Sequence, residues 1–220
     1  LLFLFKKGIF KSNLNLFFMK KPFRIAVLAS TRGTDLQAII DELKADKLPG
    51  VELSVVLSNK KDCYALQRAR EQGFKAIFVR TKGRTREEFD QRMQKILEKY
   101  QVDLIVLVGY MRILSKTFVD HFRHRILNVH PALLPKYGGG GAMDLNVHEE
   151  VLKNGDKVTG MTIHFVSEVC DEGPIVVQKE VAVDPDDTPD SLKDKVQTLE
   201  KKWYPEVIRW IQHGKVVVGE

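Results

Sequence analysis

Five near-continuous apolar runs constrain this chain more than any other feature. They read "RIAVLAS" (24–30), "VELSVVLSN" (51–59), "KAIFVR" (75–80), "DLIVLVGY" (103–110) and "ILNVH" (126–130). A strand that is apolar on both faces has no side to give to water, so it belongs inside a sheet covered above and below. The segments between the runs carry the helical period. Residues 34–46 place Leu36, Ile39, Ile40 and Leu43 on one face, and 63–73 form a short helix closed by Gly73. Thr85 with Glu88 is a capping-box signature that opens a helix to about Tyr100, and 115–122 form another. Regular strand–helix alternation predicts an α/β fold: an open, mostly parallel twisted sheet with helices on both faces, Rossmann-like in its winding.

After His130 the rhythm changes. Residues 137–144, "YGGGGAMD", predict a flexible loop, and 145–155 a helix with a glycine stop. Segments 159–168 and 174–183 alternate apolar with polar residues across a short connection, which predicts an antiparallel pair. Thr188-Pro189 opens a long final helix to about Gln212, in which Pro205 is expected to produce a bend. The C-terminal half is therefore expected to be mixed, with antiparallel strands and that helix.

A chain of 220 residues suits one such domain, assigned to 19–220. Residues 1–18 are read as an upstream extension, with a short surface anchor as the alternative. Their apolar stretch is interrupted by Lys6, Lys7 and Lys11, too broken for a membrane span and in the wrong order for a signal peptide. The net charge of +6 comes from scattered basic residues that alternate with acids. That pattern argues against nucleic acid and a membrane surface, and fits an anionic small molecule. Cys63 and Cys170 stand far apart without metal-ligand spacing, so no metal and no disulfide framework is expected, and reduced thiols point to the cytoplasm.

Three places carry candidate chemistry. At 28–39, "LASTRGTDLQAI", a strand ends, Gly33 permits a tight turn and a helix begins at Thr34-Asp35. Free N–H groups at a helix start attract anions, although from this loop alone an ordinary strand-to-helix turn with Asp35 as its cap is the favoured reading. In "NVHP", Asn128 and His130 are two apart, so both point to one face at the carboxyl end of a strand, where open parallel sheets bind ligands. An amide beside an imidazole suits oxyanion stabilisation and proton handling; a structural hydrogen-bonded pair is the alternative. In "VCDEGP", Asp171 sits in a turn between two strands, where a carboxylate could orient a histidine and raise its pKa, or simply make the turn. His164, on the preceding strand, fits either a core or a site position. No nucleophile elbow or Cys–His pattern is present, which argues against covalent catalysis.

Taken together, "GTDLQAIID" (33–41), "GYMRILS" (109–115), "ILNVHPALLPKY" (126–137), "KNGDKVTGMTIHFV" (153–166), "DEGPIVVQ" (171–178) and "VQTLEKKWYPEVI" (196–208) resemble the phosphoribosylglycinamide formyltransferase family. That family lies within the wider group of formyltetrahydrofolate transferases and hydrolases, and the resemblance spans about 23–216. It implies transfer of a formyl group from 10-formyltetrahydrofolate, as co-substrate, to the amine of glycinamide ribonucleotide in purine synthesis, by a monomer or homodimer. It implies that Asn128, His130 and Asp171 are catalytic, and that Gly33, Thr34 and Asp35 hold the substrate phosphate, with Gln197 and Glu200 on the ribonucleotide. Met111, Arg112, Ile113, Leu114, Val166, Ser167 and Val169 would line the folate pocket, with His164 and Pro131 in support.

Three positions depart from the family pattern: Thr34-Asp35 replaces Ser-Asn after the glycine, the glycine-rich loop is longer, with His148 its one available histidine, and Ala132 stands where Ser is common. The departure at Asp35 predicts a side chain turned away to cap the helix. Methionyl-tRNA formyltransferase, formyltetrahydrofolate deformylase and sugar-nucleotide formyltransferases share parts of the pattern, and a non-catalytic folate-binding module is the rival from another class. The first two are expected to need an extra domain that this chain lacks.

Overall fold

A computed structural model describes residues 21–139 and 146–216. The expected extension at 1–18 and most of the glycine-rich loop lie outside the described residues. The elements, in chain order, are β1 (Phe23–Ala29), α1 (Thr34–Lys44), β2 (Val51–Ser58), α2 (Tyr64–Glu71), β3 (Ala76–Phe78), α3 (Arg86–Lys99), β4 (Leu104–Val108), α4 (Lys116–His121), β5 (Ile126–His130), α5 (Val147–Lys153), β6 (Val158–Phe165), β7 (Ile175–Ala182) and α6 (Pro189–Gln212). The sheet order is β3-β2-β1-β4-β5-β6-β7. The first five strands pair in parallel, and β6 and β7 add antiparallel to β5 and to each other, as the change in sequence rhythm predicts.

Alternate residues of each central strand serve two cores. Ile25, Val27, Val106 and Leu127 face α1, α2 and α6, whose Leu36, Ile39, Leu66, Val196 and Ile208 complete that layer. Ala26, Leu28, Ile105 and Ile126 face α3 and α4 through Phe89, Met93, Leu97 and Phe118. Leu36, Ile39 and Ile40 are fully buried, and each such side chain contributes about 1.5–3 kcal/mol of transfer free energy. The third strand is shorter than its apolar run, because only three residues find partners at the sheet edge. The capping box of α3 is formed as expected: Glu88 N–H donates to Thr85 Oγ1, and Thr85 N–H donates to the Glu88 carboxylate. Thr188 caps α6 with Pro189 at its first turn, and that helix continues unbroken through Pro205.

The expectation for Asp35 is corrected. Gly33, in the left-handed region at φ 71°, is the N-cap of α1, and no side chain caps the helix. Asp35 lies inside the first turn and is turned inward, 5% exposed. Burial against α6 wins over the cap.

Candidate active site

The chain reverses its sheet order at β1, whose neighbours are β2 and β4. The carboxyl ends of β1 and β4 open a crevice there. The two loops are tied across it: Ser30 N–H donates to the Gly109 carbonyl (3.1 Å), Met111 N–H donates to Ser30 Oγ (3.0 Å), and Ser30 Oγ donates to Asn59 Oδ1 (2.6 Å). Gly109 has φ 52°, and a Cβ there would run into Thr31 Oγ1, so glycine lets the loops approach.

Beyond this floor the crevice holds two joined cavities. The larger, about 420 Å³, is walled by Tyr110 and Met111 to Leu114 on one side and by Asn128, His130, His164, Val166, Ser167 and Asp171 on the other. The smaller, about 200 Å³, is lined by Thr31, Thr34, Asp35, Gln197 and Glu200. Gly109, Val129, Pro131, His148 and Lys193 border both.

The strand register builds the catalytic wall. Asn128 lies directly opposite His164 across the antiparallel β5–β6 pair, and His130 opposite Thr162. Opposed residues share a face, so the amide and both imidazoles project together. His164 Nδ1–H donates to the Phe165 carbonyl (3.0 Å), leaving Nε2 to accept from Asn128 Nδ2 (3.3 Å). His130 Nε2–H donates to the Tyr137 carbonyl (2.9 Å). Asp171 reaches between the rings: Oδ2 is 3.6 Å from His130 Nδ1, and Oδ1 is 3.6 Å from His164 Nε2. Gly139 N–H donates to Asp171 Oδ2 (3.1 Å). Asp171 adopts φ 61°, a left-handed conformation that Asp tolerates better than most residues. The chain leaves this wall under control: Thr162 Oγ1 donates to the Ala132 carbonyl and accepts from Leu134 N–H, and Gln178 Nε2 donates to the Leu134 carbonyl.

The electrostatics differ from the sequence expectation in one respect. Asp171 does push the pKa of His130 up, but burial outweighs it and holds that imidazole below its ordinary value. Burial does the same to His164, and to His148, where the charges of Lys193 and His130 add to it. The neutral imidazole is favoured throughout. In the smaller cavity, burial pushes Asp35 up to about 6 against the opposing pull of Lys201, and pushes Glu200 up to about 8 with help from the negative charge of Asp35.

The structure thus brings Asn128, His130, His164 and Asp171 together, and gathers Thr34, Asp35, Gln197 and Glu200 separately. Gly33 holds the turn behind them. Met111 and Ile113 remain over 40% exposed although apolar, and Arg112 stacks its guanidinium on Phe89 at 4.6 Å. Val169 is 53% exposed and does not line the cleft. Two titratable residues not assigned a role from sequence border both cavities. His148 is buried, with Nδ1 unpartnered among the described residues. Lys193 precedes Gln197 by one helical turn, and 193, 197 and 200 form one stripe of α6, a spacing visible in the sequence. Among the described residues no helix is long and apolar enough to cross a membrane.

Comparison with known proteins is consistent along the chain. The formyl transferase family model matches residues 23–208. Phosphoribosylglycinamide formyltransferase of Escherichia coli (strain K12) is 41% identical over 197 residues, which cover 89% of this chain and 90% of that protein. The human trifunctional purine biosynthetic protein adenosine-3 is 37% identical over 204 residues, 92% of this chain and 20% of that longer protein. Glycinamide ribonucleotide transformylase 1 from Symbiobacterium toebii superposes with a TM-score of 0.86 at 39% identity, covering 94% of this chain and 96% of that one. Phosphoribosylglycinamide formyltransferase from Coxiella burnetii gives 0.83 at 38%, covering 90% and 91%.

Proposed function

The chain belongs to the formyl transferase family and is an enzyme that transfers a formyl group to glycinamide ribonucleotide in purine biosynthesis; on that premise we propose that Asn128, His130 and Asp171 carry the reaction and that 10-formyltetrahydrofolate donates the group. The observation that carries this assignment is the Asp171 carboxylate set between two buried imidazoles, beside the Asn128 amide, on the wall of the larger cavity.

The folate occupies the larger cavity, against Met111, Ile113, Leu114 and Val166. The ribonucleotide occupies the smaller one, with its phosphate on the N–H groups of Gly33 to Asp35 at the positive end of α1. Its amine reaches the formyl carbon where the cavities join. Attack forms the N–C bond and moves the carbonyl electrons onto oxygen. The second N–H of Asn128, free of His164, stabilises that oxyanion, and His130 adds its positive charge once it is protonated. Neutral His130 takes the proton that the attacking nitrogen releases, and Asp171 stabilises the resulting imidazolium. Collapse breaks the C–N10 bond of the folate, and N10 leaves with a proton returned from the same group. Both steps need proximity and fixed charge, and neither needs a protein nucleophile. Small-molecule substrates and a cytoplasmic location follow from this assignment.

Folate release from a 10-formylfolate analogue, followed spectroscopically with and without glycinamide ribonucleotide, tests it. Release that depends on the ribonucleotide is expected. Release without it would make the protein a hydrolase, and no release in either case would remove the assignment.

A further inference from the structure

The smaller cavity contains a feature that formyl transfer does not require. Asp35, from the first turn of α1, and Glu200, from α6, are both buried in its wall, 5% and 6% exposed. Asp35 Oδ1 has no hydrogen-bond partner among the described residues. Buried carboxyl oxygens without partners are costly, and two carboxylates in one buried wall, the charge of one raising the pKa of the other, cannot both ionise cheaply.

We propose that Asp35 and Glu200 hold one proton between them, so that Asp35 acts as a hydrogen-bond donor to the bound ribonucleotide in place of the family's amide, and binding weakens when that proton leaves. This rests on the assignment of the smaller cavity to the ribonucleotide. A neutral carboxyl group has nearly the shape of a carboxamide and offers an O–H where Asn offers an N–H. An ionised Asp35 would instead set a negative charge beside a phosphate. The departure from the family's Ser-Asn is therefore harmless while the pair is protonated and becomes a liability once it is not.

The surroundings favour retention of the proton. Lys201 is the cation that opposes it at Asp35, and Lys201 and Lys193 do so at Glu200. Tyr204, below Glu200 on the same helix, is neutral, with its own pKa raised well above the ordinary phenol value by burial and by both carboxyls. From α5, His148 borders the cavity in its neutral form. From α2, Arg68 is engaged by Gln37 Oε1 and the Arg32 carbonyl. Glu52 of β2 lies at the opposite end of the sheet, paired with Arg24, and β4 carries no titratable side chain. Burial with mutual repulsion outweighs the two lysines, which puts the last ionisation of the pair near the value of about 8 reached by Glu200.

The test compares wild type with Asp35→Asn and Glu200→Gln, measuring the KM for glycinamide ribonucleotide from pH about 6 to about 9.5. Ionisations of the substrate are common to all three proteins and cancel in the ratios. Between wild type and Asp35→Asn the KM ratio is expected to stay flat below pH about 7 and to climb, by up to about tenfold per pH unit, above about 8. Glu200→Gln is expected to move the onset of that climb to lower pH, because Asp35 alone then carries the titrating proton. A ratio independent of pH overturns the proposal.

A second measurement does not depend on catalysis. Calorimetric titration with ribose 5-phosphate at pH about 8.5, in two buffers of different ionisation enthalpy, is expected to show proton uptake by wild type exceeding that of Asp35→Asn. Equal uptake, or no binding of ribose 5-phosphate, overturns the proposal. Failure of formyl transfer by wild type would count against the proposed function, while the proton balance would still decide the pair.

Discussion

Replacing Asp171 by Asn removes one charge and keeps the shape of the turn. The amide oxygen can still accept from Gly139 N–H, which holds the loop in place. What is lost is the attraction between the carboxylate and a protonated His130, 3.6 Å away. At that distance and an effective dielectric of about 20, a unit charge pair is worth about 4–5 kcal/mol before screening. Screening removes part of it, and a fall in the His130 pKa is expected. Burial already holds that group below its ordinary value, and the substitution moves it in the same direction. His130 would then be too weak a base to take the proton from the amine, and kcat is expected to drop by about 10²–10⁴-fold. NMR titration of the His130 ring, alongside kcat at saturating substrates, checks both halves. Intact turnover would remove Asp171 from the mechanism. An unmoved His130 titration with lost turnover would refute the electrostatic reasoning and leave only a steric role.

Tyr204→Phe removes the buried hydroxyl that donates to the Leu107 and Leu127 carbonyls, and a loss of about 1–3 kcal/mol is expected in urea unfolding. Gly33→Ala forces a side chain into φ 71° and brings its Cβ to 2.8 Å from Ala65 Cβ; a raised KM for the ribonucleotide with a lowered melting temperature is expected, and an unchanged KM would separate this turn from phosphate binding. The pKa of Glu200 is raised from 4.5 to about 8, so its contribution to stability is fully present below about 4.5 and is lost as pH climbs to about 8. Thermal melts should therefore show Glu200→Gln gaining on wild type across that window, and a constant difference would contradict it. The histidines work in the opposite sense. His130, His148 and His164 are held below the ordinary value of 6.5, so wild-type stability should fall as pH drops beneath it, measured by the same melts.

What the sequence disclosed was local. The apolar runs needed burial on both faces and received it, and Thr85 with Glu88 closed its box from four consecutive positions. Asn128 and His130 could be placed on one face because a strand has period two. The partners of that pair were named through the family resemblance, and the local pattern alone did not place them. His164 stands opposite Asn128 only through the register of β6 on β5, and Asp171 arrives by a turn whose path depends on both strands. Asp35 was misjudged for the same reason: a capping role follows from neighbours in sequence, whereas its burial follows from the docking of α6, some 165 residues on (200 − 35). Lys193 could have been found from its spacing with Gln197 and Glu200, had that helix face been known to line a cavity.

Tyr204 also fixes a measurement within the molecule. The stripe 193, 197, 200 and 204 runs along one face of α6, and its last member is fastened to the backbones of β4 and β5, the strands that lead into both halves of the crevice. From Lys193 to Tyr204 is about 16 Å of unbroken rod. The helix acts as a gauge bar: one end is pinned to the sheet, and the graduations toward the other end, Glu200, Gln197 and Lys193, line the smaller cavity, where the proposed assignment puts the acceptor. The distance between acceptor and reacting carbon is then set by helical pitch rather than by a hinge. Inserting a single residue between Glu200 and Tyr204 would turn every graduation by about 100° away from the crevice while leaving the formyl side untouched.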